Sequence, residues 1–309
     1  MSLTPLVTIN ILSFNSKDEL YNTLTKVFEQ DYKNIEVIVV DNTSSDGSPE
    51  MVEQEFPDVI LIQMQKNIGI AGWNEGFKIA KGEYVLVLDD DSYPLEHTIS
   101  NGLKGFYNKD IAIVALRVFN NYLNRDETEY FEKYPLSFIG CGALIRREIL
   151  EIVGVYDALI FLYHNELDLS IRAQSNGYKI LYCSNSLIIH VFSTQARKGN
   201  AKNILMNKSR YENFFQSYAL VFIKNFSGIT LLWLLFKLFV NRTMIAFVFF
   251  YWDGYIRALS KLILILPQLI AKRVPVDKNI QTKYKNVIKF IDRDFFRTPI
   301  NLIKHFTNS

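Results

Sequence analysis

The sequence predicts an α/β fold, with a mostly parallel central sheet covered by helices on both faces, followed by a helical C-terminal region. Strand-like and helix-like segments alternate through the first half of the 309-residue chain, which is typical of such sheets. The strand-like segments are almost wholly apolar, as expected for strands buried on both faces. Several of them end in acidic or amide residues, where simple turns would carry glycine or proline.

The first four predicted strands converge on one candidate site. They cover residues 7–12, 35–40, 59–63 and 84–88, with helices at 17–30, 49–56 and 73–80. Ligands of open α/β sheets bind beyond the carboxyl ends of the strands. The first, second and fourth strands are followed by Asn15, Asp41 and Asp89–Asp91, so we expect these polar groups to meet at one edge.

The fourth strand, which begins at Tyr84, ends in three adjacent carboxylates, Asp89, Asp90 and Asp91. Three like charges repel each other, so this strand end predicts a compensating group. A hard divalent cation fits, because bound Mg²⁺ usually takes one or two carboxylates plus substrate phosphates. A solvated acidic turn that caps a helix near Leu95 is the alternative.

The following segments complete the predicted catalytic region, residues 1–206. Strands are predicted at 111–118, 138–145, 178–183 and 187–191, with helices at 146–153 and from Glu166 to about residue 176. An acidic loop lies near residues 126–132. The glycines of the 138–145 segment allow a ligand or another backbone to approach it closely.

Charge divides the chain into two parts. Residues 1–192 carry 15 Lys and Arg against 27 Asp and Glu, whereas residues 193–309 carry 19 against 5. An acidic part followed by a basic, apolar part suggests a catalytic domain attached to a region that meets an anionic surface. The two cysteines, Cys141 and Cys183, are too few for a disulfide framework or a structural zinc site and indicate a reducing compartment. No signal peptide is expected from residues 1–7.

The C-terminal region, residues 207–309, contains a helical aromatic segment at 211–223 and three apolar runs. Lys237, Asn241, Arg242 and Pro267 interrupt these runs, so none reaches the roughly eighteen apolar residues of a membrane span. Basic residues flank them, as in helices that lie in a membrane interface. A buried helical subdomain is the alternative.

Taken in order, the motifs form a recognisable set. They are Val7–Asn15, Val39–Asn42 with Ser45–Ser48, Asn67–Gly76, Asp89–Asp91, Phe138–Ala143 with Arg146, Glu166–Leu169 with Arg172, Gly177–Tyr182, and His190. Over residues 5–260 the chain resembles the inverting glycosyltransferases of family 2, which have the GT-A nucleotide-diphospho-sugar transferase fold. The nearest resemblance is to the bacterial branch with rhamnosyl- and galactofuranosyltransferases.

The resemblance implies a donor site. Asp41 would hydrogen-bond the nucleobase, and Ser13 and Asn15 would line the nucleoside pocket; an ordinary Asx-turn is the alternative for Asp41. Asn67, Gly69 and Asn74 match a loop that approaches the donor in relatives. Helix capping by Asn67 and a tight turn at Gly69 are the alternatives there.

The resemblance also implies a metal site. Asp89 and Asp91 match the acidic positions of the DxD motif, Asp90 would face the ribose, and His190 would complete the coordination of Mn²⁺ or Mg²⁺. The cation would act as a Lewis acid on the leaving nucleotide. A core histidine held by hydrogen bonds is the alternative for His190.

Glu166 occupies the position of the catalytic base in the resemblance. Relatives commonly carry Glu-Asp or Asp-Asp there, whereas this chain has Asn165-Glu166, so one carboxylate is missing and the other is longer by a methylene. Glu166 would deprotonate an acceptor hydroxyl while the nucleoside diphosphate leaves with inversion. A charge at a helix N-terminus is the alternative, and Asp168 and Arg172 are expected to pair four residues apart.

The predicted protein is a metal-dependent, non-processive enzyme of cell-surface polysaccharide synthesis. Its partners would be a UDP- or TDP-sugar, a glycan or lipid-linked acceptor and the inner face of the bacterial membrane, with no nucleic acid. A sugar-1-phosphate nucleotidyltransferase would need a glycine-rich basic loop after the first strand, and a dehydrogenase would need G-x-G-x-x-G; both are missing from residues 13–16. A non-catalytic scaffold protein that binds nucleotide sugars remains the alternative.

Overall fold

The computed structural model describes residues 4–128, 131–191 and 208–285. They divide into two compact units, Met1–Ala158 with Asn165–Gly199, and Leu159–His164 with Asn200–Ser309. The predicted boundary at residues 206–207 lies outside the described residues, so it stays a prediction.

The first unit is built on a nine-stranded sheet whose first four strands are the predicted ones. They are β1 (Val7–Ser13), β2 (Ile35–Asp41), β3 (Ile60–Gln63) and β4 (Tyr84–Asp89). They lie parallel in the order β3-β2-β1-β4. Helices α1 (Lys17–Phe28), α2 (Ser48–Glu55) and α3 (Trp73–Ile79) connect them. Long apolar strands with both faces buried fit this arrangement, since helices cover each face.

The rest of the sheet has mixed strand directions. It contains β5 (Ser92–Pro94), β6 (Ile111–Asn120), β7 (Arg125–Asp126), β8 (Ala143–Arg146) and β9 (Lys179–His190), with helices α4 (Thr98–Leu103), α5 (Arg147–Val153) and α6 (Asn165–Ser175). β8 runs antiparallel to β4 and β6, and β5 runs antiparallel to β9. Strands β6 and β9 pair parallel to each other. The sheet is therefore mixed, parallel over β3-β2-β1-β4 and between β6 and β9, and antiparallel at its other pairings.

Two predicted strand boundaries were wrong. The strand expected over 138–145 covers only Ala143–Arg146, because Gly142 N–H bonds the Ile139 carbonyl and closes a turn in the glycine-containing part. The strands expected at 178–183 and 187–191 form the single strand β9, whose register against β6 shifts between Cys183 and Leu187.

Helix α3 packs unusually close to the start of the sheet. A Cβ on Gly76 would lie 2.1 Å from Asn10 Oδ1 of β1, so only glycine fits at this contact. Asn10 Nδ2 in turn donates to the Trp73 carbonyl at 2.9 Å. This contact fixes the start of α3, and with it the loop from Asn67, near the carboxyl ends of β1 and β2.

The second unit is mostly helical over its described residues 208–285. It comprises α7 (Lys208–Asn225), α8 (Gly228–Phe249), α9 (Trp252–Ala271) and a helical segment at 278–285. The helices continue through the residues that were expected to interrupt them. Asn241 and Arg242 are buried residues of α8, and Pro267 lies inside α9. Contrary to the sequence expectation, α8 and α9 are each long and apolar enough to cross a membrane by length and composition.

Candidate active site

The carboxyl ends of β1, β2 and β4 lie side by side. Ser13 pairs with Asp41, and Leu12 pairs with Asp89, in the register of the parallel strands. The backbone N–H of Phe14, which follows β1, donates to Asp90 Oδ2 at 2.9 Å. The structure thus brings the predicted polar strand ends to one edge, because their apolar runs end level with one another.

Asp41 has the turn-forming role considered from the sequence, and one of its carboxylate oxygens has no partner among the described residues. Its Oδ2 accepts from the N–H groups of Thr43 and Ser44 at 3.1 and 2.9 Å, which is the turn-forming role. Its Oδ1 and the Ser13 hydroxyl are buried with no hydrogen-bond partner among the described residues. Buried polar atoms left unpaired are costly, so this edge has acceptor and donor capacity for a ligand such as a nucleobase.

Asn15 ties the loop after β1 to the loop after β2. It adopts a left-handed backbone conformation, with φ of 51°, its N–H donates to Ser44 Oγ at 2.8 Å, and its Oδ1 accepts from Ser45 N–H at 2.8 Å. Left-handed conformations are tolerated by asparagine better than by most residues. Asn15 therefore shapes the wall of the predicted nucleoside pocket through these loop contacts.

The loop at Asn67–Gly72 is held by amide side chains. Gly69 has a φ of +65°, as the tight-turn alternative requires. Asn67 Oδ1 accepts from Gly69 N–H at 2.8 Å, which closes a turn, but Asn67 is not a helix cap because the short helix at Gly69–Gly72 begins after Ile68. Asn42 accepts from Ile68 N–H and donates to the Gly69 carbonyl, each at 3.0 Å.

Asn74 differs from its predicted role. Its amide donates to the Tyr156 carbonyl at 2.9 Å and accepts from the Tyr156 N–H at 3.1 Å. Both polar ends of this side chain are occupied within the protein. The structure therefore gives Asn74 a positioning contact with the chain after α5, and a direct donor contact by Asn74 stays a prediction.

Asp90 has different partners from Asp89 and Asp91, which both lie near His190. Burial, followed by the charge of Asp91, raises the pKa of Asp90 well above its usual range, while its Oδ2 is held by Phe14. Asp91 is buried, and its Oδ1 lies 3.4 Å from His190 Nε2. The antiparallel pairing of β5 with β9 places Ser92 opposite His190 and so explains how two residues a hundred positions apart meet.

A possible metal site lies at this point. Ligand atoms of Asp89, Cys141 and His190 lie within 4.8 Å of one another. Oxygen, nitrogen and sulfur donors at this spacing suit a divalent cation. Asp91 lies next to this cluster, because its Oδ1 is 3.4 Å from His190 Nε2. The predicted set of Asp89, Asp91 and His190 is thus gathered in one place. Cys141 was not predicted as a member; its position between Gly140 and Gly142 was the only sequence signal.

Glu127 is a second residue that the sequence did not assign. Its carboxylate oxygens lie 3.2 and 3.4 Å from His190 Nδ1, and its Oε1 also accepts from Asn120 Nδ2 at 2.6 Å. Burial opposes the charging of His190, but its hydrogen bonds to Asp91 and Glu127 raise its pKa to about 10. A carboxylate behind a metal-binding histidine fixes the orientation of the ring.

Glu166 stands in the first turn of α6. Asp168 and Arg172 form the predicted pair, with Arg172 Nε 2.9 Å from Asp168 Oδ2, and Arg172 also donates to the Gly154 and Val155 carbonyls at 2.8 Å. This anchor holds the start of the helix. Glu166 itself is half-buried, and burial, aided by the charge of Asp89, raises its pKa to about 7.

Two neighbours shape the environment of the Glu166 carboxylate. A Cβ on Gly140 would lie 2.4 Å from Glu166 Oε1, so the absence of a side chain there leaves room for the carboxylate. Asn165 is fully buried, and with its amide nitrogen facing Glu166 it donates to Oε2 at 2.8 Å and to Oε1 at 3.2 Å. The asparagine that distinguishes this chain therefore contacts the predicted base directly.

A mixed sheet with acidic strand ends, a metal site and a carboxylate of raised pKa is the arrangement that the sequence resemblance implies for a glycosyltransferase. The sequence profile of glycosyl transferase family 2 matches residues 8–168, and the chain belongs to this family. This confirms the predicted family.

The relatives include enzymes of bacterial glycan synthesis. Over 99 residues the chain is 39% identical to the UDP-Glc:alpha-D-GlcNAc-diphosphoundecaprenol beta-1,3-glucosyltransferase WfaP of Escherichia coli, an alignment that covers 31% of this chain and 39% of that protein. It is 32% identical over 132 residues to the uncharacterized glycosyltransferase YfnE of Bacillus subtilis, covering 40% of this chain and 33% of that protein. The chain thus spans well under half the length of these two relatives.

Solved structures confirm the predicted GT-A fold. The chain is similar to residues 1–349 of S. aureus TarS in complex with UDP-GlcNAc, with a TM-score of 0.63 and 18% identity, over 98% of this chain and 92% of that one. At these identities the likeness shows the fold alone.

Proposed function

We propose that the protein is an inverting, non-processive glycosyltransferase that moves a sugar from a nucleotide diphosphate to a hydroxyl of a glycan or lipid-linked acceptor. The observation that carries this proposal is the proximity of base and metal site. The pKa of Glu166 is raised to about 7, and Asp89, a member of the metal cluster, contributes to that shift. A base that titrates near neutrality beside a cation site is what a single displacement needs.

In the proposed reaction Glu166 accepts the proton of the acceptor hydroxyl as that oxygen attacks the anomeric carbon. The bond from this carbon to the diphosphate oxygen breaks at the same time, so the configuration inverts. Gly140 leaves the space in which the carboxylate moves, and Arg172, through Asp168, keeps the start of α6 in place. When bound, Mn²⁺ or Mg²⁺ at Asp89, Asp91 and His190 would supply Lewis acidity toward the leaving diphosphate.

The donor is proposed to be a UDP- or TDP-sugar. Asp41 Oδ1, which is buried and has no partner in the part of the chain that the structure describes, would accept from the imide N–H of uracil or thymine, with Ser13 beside it. Asp90 would face the ribose. The resemblance to rhamnosyl- and galactofuranosyltransferases favours TDP-rhamnose and UDP-galactofuranose as first substrates to try. The relatives in bacterial glycan synthesis support a role in cell-envelope polysaccharide assembly.

The test is release of nucleoside diphosphate from a panel of UDP-, TDP- and GDP-sugars, with Mn²⁺, Mg²⁺ or chelator and a lipid-linked or oligosaccharide acceptor. We expect acceptor-dependent release only with a cation. NMR of the product should show inverted anomeric configuration, and chains extended by one sugar would show non-processive transfer. Donor binding without turnover would favour the non-catalytic scaffold; nothing in the family match or the site supports that alternative.

We further propose that the second unit attaches the enzyme to the inner, cytoplasmic face of the bacterial membrane. The outer side of α8 is a continuous apolar stripe at helical spacing, comprising Ile229, Leu232, Trp233, Phe236, Val240, Met244 and Phe247, all exposed. An apolar patch of this length is typical of interaction surfaces. Lys237 lies beside the stripe, over the ring of Trp233, as suits an interface rich in anionic lipid.

Lying along the surface fits α8 better than crossing it. The opposite side of α8 carries Asn241 and Arg242, which are buried, and the Arg242 carbonyl accepts from the Tyr211 hydroxyl of α7 at 2.8 Å. Helix α7 is polar on average and is not one of the two helices with the composition of a span. One side of α8 is thus occupied by protein, and only the stripe is offered to lipid.

Liposome flotation tests this attachment. The protein should float with phosphatidylglycerol vesicles, and the floating fraction should be smaller at high salt. Each Lys or Arg near the membrane surface contributes about 1 kcal/mol of binding free energy, and salt screens this contribution. Leu232→Ser with Phe236→Ser should reduce flotation, whereas Ile152→Ser, an exposed apolar residue of the first unit, should not. Absence of flotation at both salt concentrations would favour the buried-subdomain alternative.

A further inference from the structure

The sulfur of Cys141 faces the metal site. Cys141 is 2% exposed, in the turn that precedes β8, and its Sγ belongs to the cluster with Asp89 and His190. Asp89 comes from β4 and His190 from β9, so three separate segments of the first unit meet here. Cys141 also packs in the hydrophobic core of this unit, so its Sγ lies where that core meets a carboxylate oxygen and an imidazole nitrogen within 4.8 Å.

The spacing allows one cation to touch all three residues. For three atoms no more than 4.8 Å apart, some point lies within about 2.8 Å of each of them, compared with roughly 2.3 Å for a Zn–S bond and 2.0–2.2 Å for bonds to nitrogen and oxygen. Closing that gap takes side-chain shifts of about half an ångström or a little more, which rotation about the Cys and Asp side-chain bonds supplies.

We propose that Cys141 is a metal ligand and that it shifts the cation preference of this site away from Mg²⁺ toward thiophilic divalent cations. Mg²⁺ favours oxygen donors in near-ideal octahedral geometry, whereas thiolate and imidazole favour Zn²⁺, Co²⁺ and related ions. On binding, the thiol gives its proton to solvent and the sulfur lone pair forms the bond to the metal. The proposal concerns the cation of the proposed transferase, but it is tested without donor, acceptor or turnover.

Cobalt provides the direct readout. Titration of the metal-free full chain with Co²⁺ should produce a near-ultraviolet sulfur-to-cobalt charge-transfer band that saturates at one equivalent. Cys141→Ala should abolish the band and keep the visible bands of cobalt bound by the remaining ligands. Cys183→Ser is the matched control, since Cys183 lies near Ser186 and the Asn101 carbonyl and is not in the cluster; the band should remain.

Calorimetry provides the second readout. The ratio of Cd²⁺ to Mg²⁺ affinity should fall at least tenfold in Cys141→Ala relative to wild type and stay within twofold in Cys183→Ser. Cys141→Ser serves if the alanine variant does not fold, since it keeps the volume and offers oxygen in place of sulfur. A wild-type cobalt spectrum without a charge-transfer band, or an unchanged affinity ratio, would overturn the proposal while leaving the transferase function testable by turnover.

Discussion

Replacing Glu166 by glutamine is the sharpest test of the proposed base. Glutamine keeps the size of the side chain and removes its ability to accept a proton. General-base catalysis contributes about 10²–10⁴-fold, so turnover should fall by at least about 100-fold, which corresponds to about 3 kcal/mol or more of transition-state stabilisation. Donor affinity should change little, because Glu166 acts on the acceptor.

The pKa of Glu166 gives this test a pH signature. With a pKa of about 7, about a tenth of the carboxyl groups are ionised at pH 6 and about nine tenths at pH 8. Because a general base acts in its ionised form, the kcat/KM of the wild type should rise about tenfold between these pH values and then level off. The residual activity of Glu166→Gln should lack that rise.

Stability supplies an independent readout with a defined sign. The folded-state pKa of Glu166 lies above its usual value of 4.5, so the neutral form is favoured in the folded protein. The associated stability is fully present below about pH 4.5 and is lost as the pH rises through about 7, a change of about 3 kcal/mol. Glutamine stays neutral, so Glu166→Gln should be more stable than wild type at pH 8, with little difference at pH 4.5.

Steady-state turnover, donor Kd and denaturant unfolding at three pH values suffice for this experiment. Glu148→Gln is the matched control, because Glu148 is an exposed glutamate in the first turn of α5. If Glu166 were only a helix N-terminal charge, its loss would destabilise the protein by about 0.3–1 kcal/mol and spare turnover. Retention of more than a tenth of wild-type turnover by Glu166→Gln would refute its role as the base.

Three further substitutions probe the surroundings of the site. Asp91→Asn should weaken donor binding in the presence of Mn²⁺ in calorimetry, and wild-type affinity would contradict its assignment to the metal site. Glu127→Gln should lower Mn²⁺ affinity about 10–100-fold by loosening His190, with an unchanged melting temperature of the metal-free protein; equal metal affinity would mean that Glu127 does not orient the ring. Asn165→Ala removes a donor to the ionised Glu166, so the midpoint of the pH–rate profile should move to higher pH, and a midpoint that stays in place would show that the amide does not act on the base.

The start of the sheet was predictable because its signals are local. The apolar runs of β1, β2 and β4 are continuous, and each ends abruptly in a polar residue, so both the strand and its functional end were readable. The pair of Asp168 and Arg172 was likewise predictable, since residues four apart on a helix are neighbours and the structure places them 2.9 Å apart.

Other site residues depend on contacts between distant segments. Glu127 reaches His190 because β7 folds back on β6 and β6 pairs with β9, which sets Asn120 opposite His190; neither pairing leaves a periodic signal in the sequence. The length of α8 was missed for a related reason. Counting hydrophobic residues treats Arg242 as an interruption, whereas in the structure it lies on the side of the helix that faces α7.

This chain has Asn165-Glu166 where relatives commonly carry two carboxylates, and the neighbouring residues accommodate that difference. A second carboxylate at position 165, as the resemblance implies for relatives, would add a like charge and raise the pKa of Glu166 further. Burial already raises that pKa to about 7, and the Asn165 amide instead donates to the ionised form. The longer glutamate fits because Gly140 has no side chain where the carboxylate lies. An acid restored at 165 alone is therefore expected to raise the pKa of Glu166 further above about 7, so the missing carboxylate is compatible with the proposed role of Glu166 as the base.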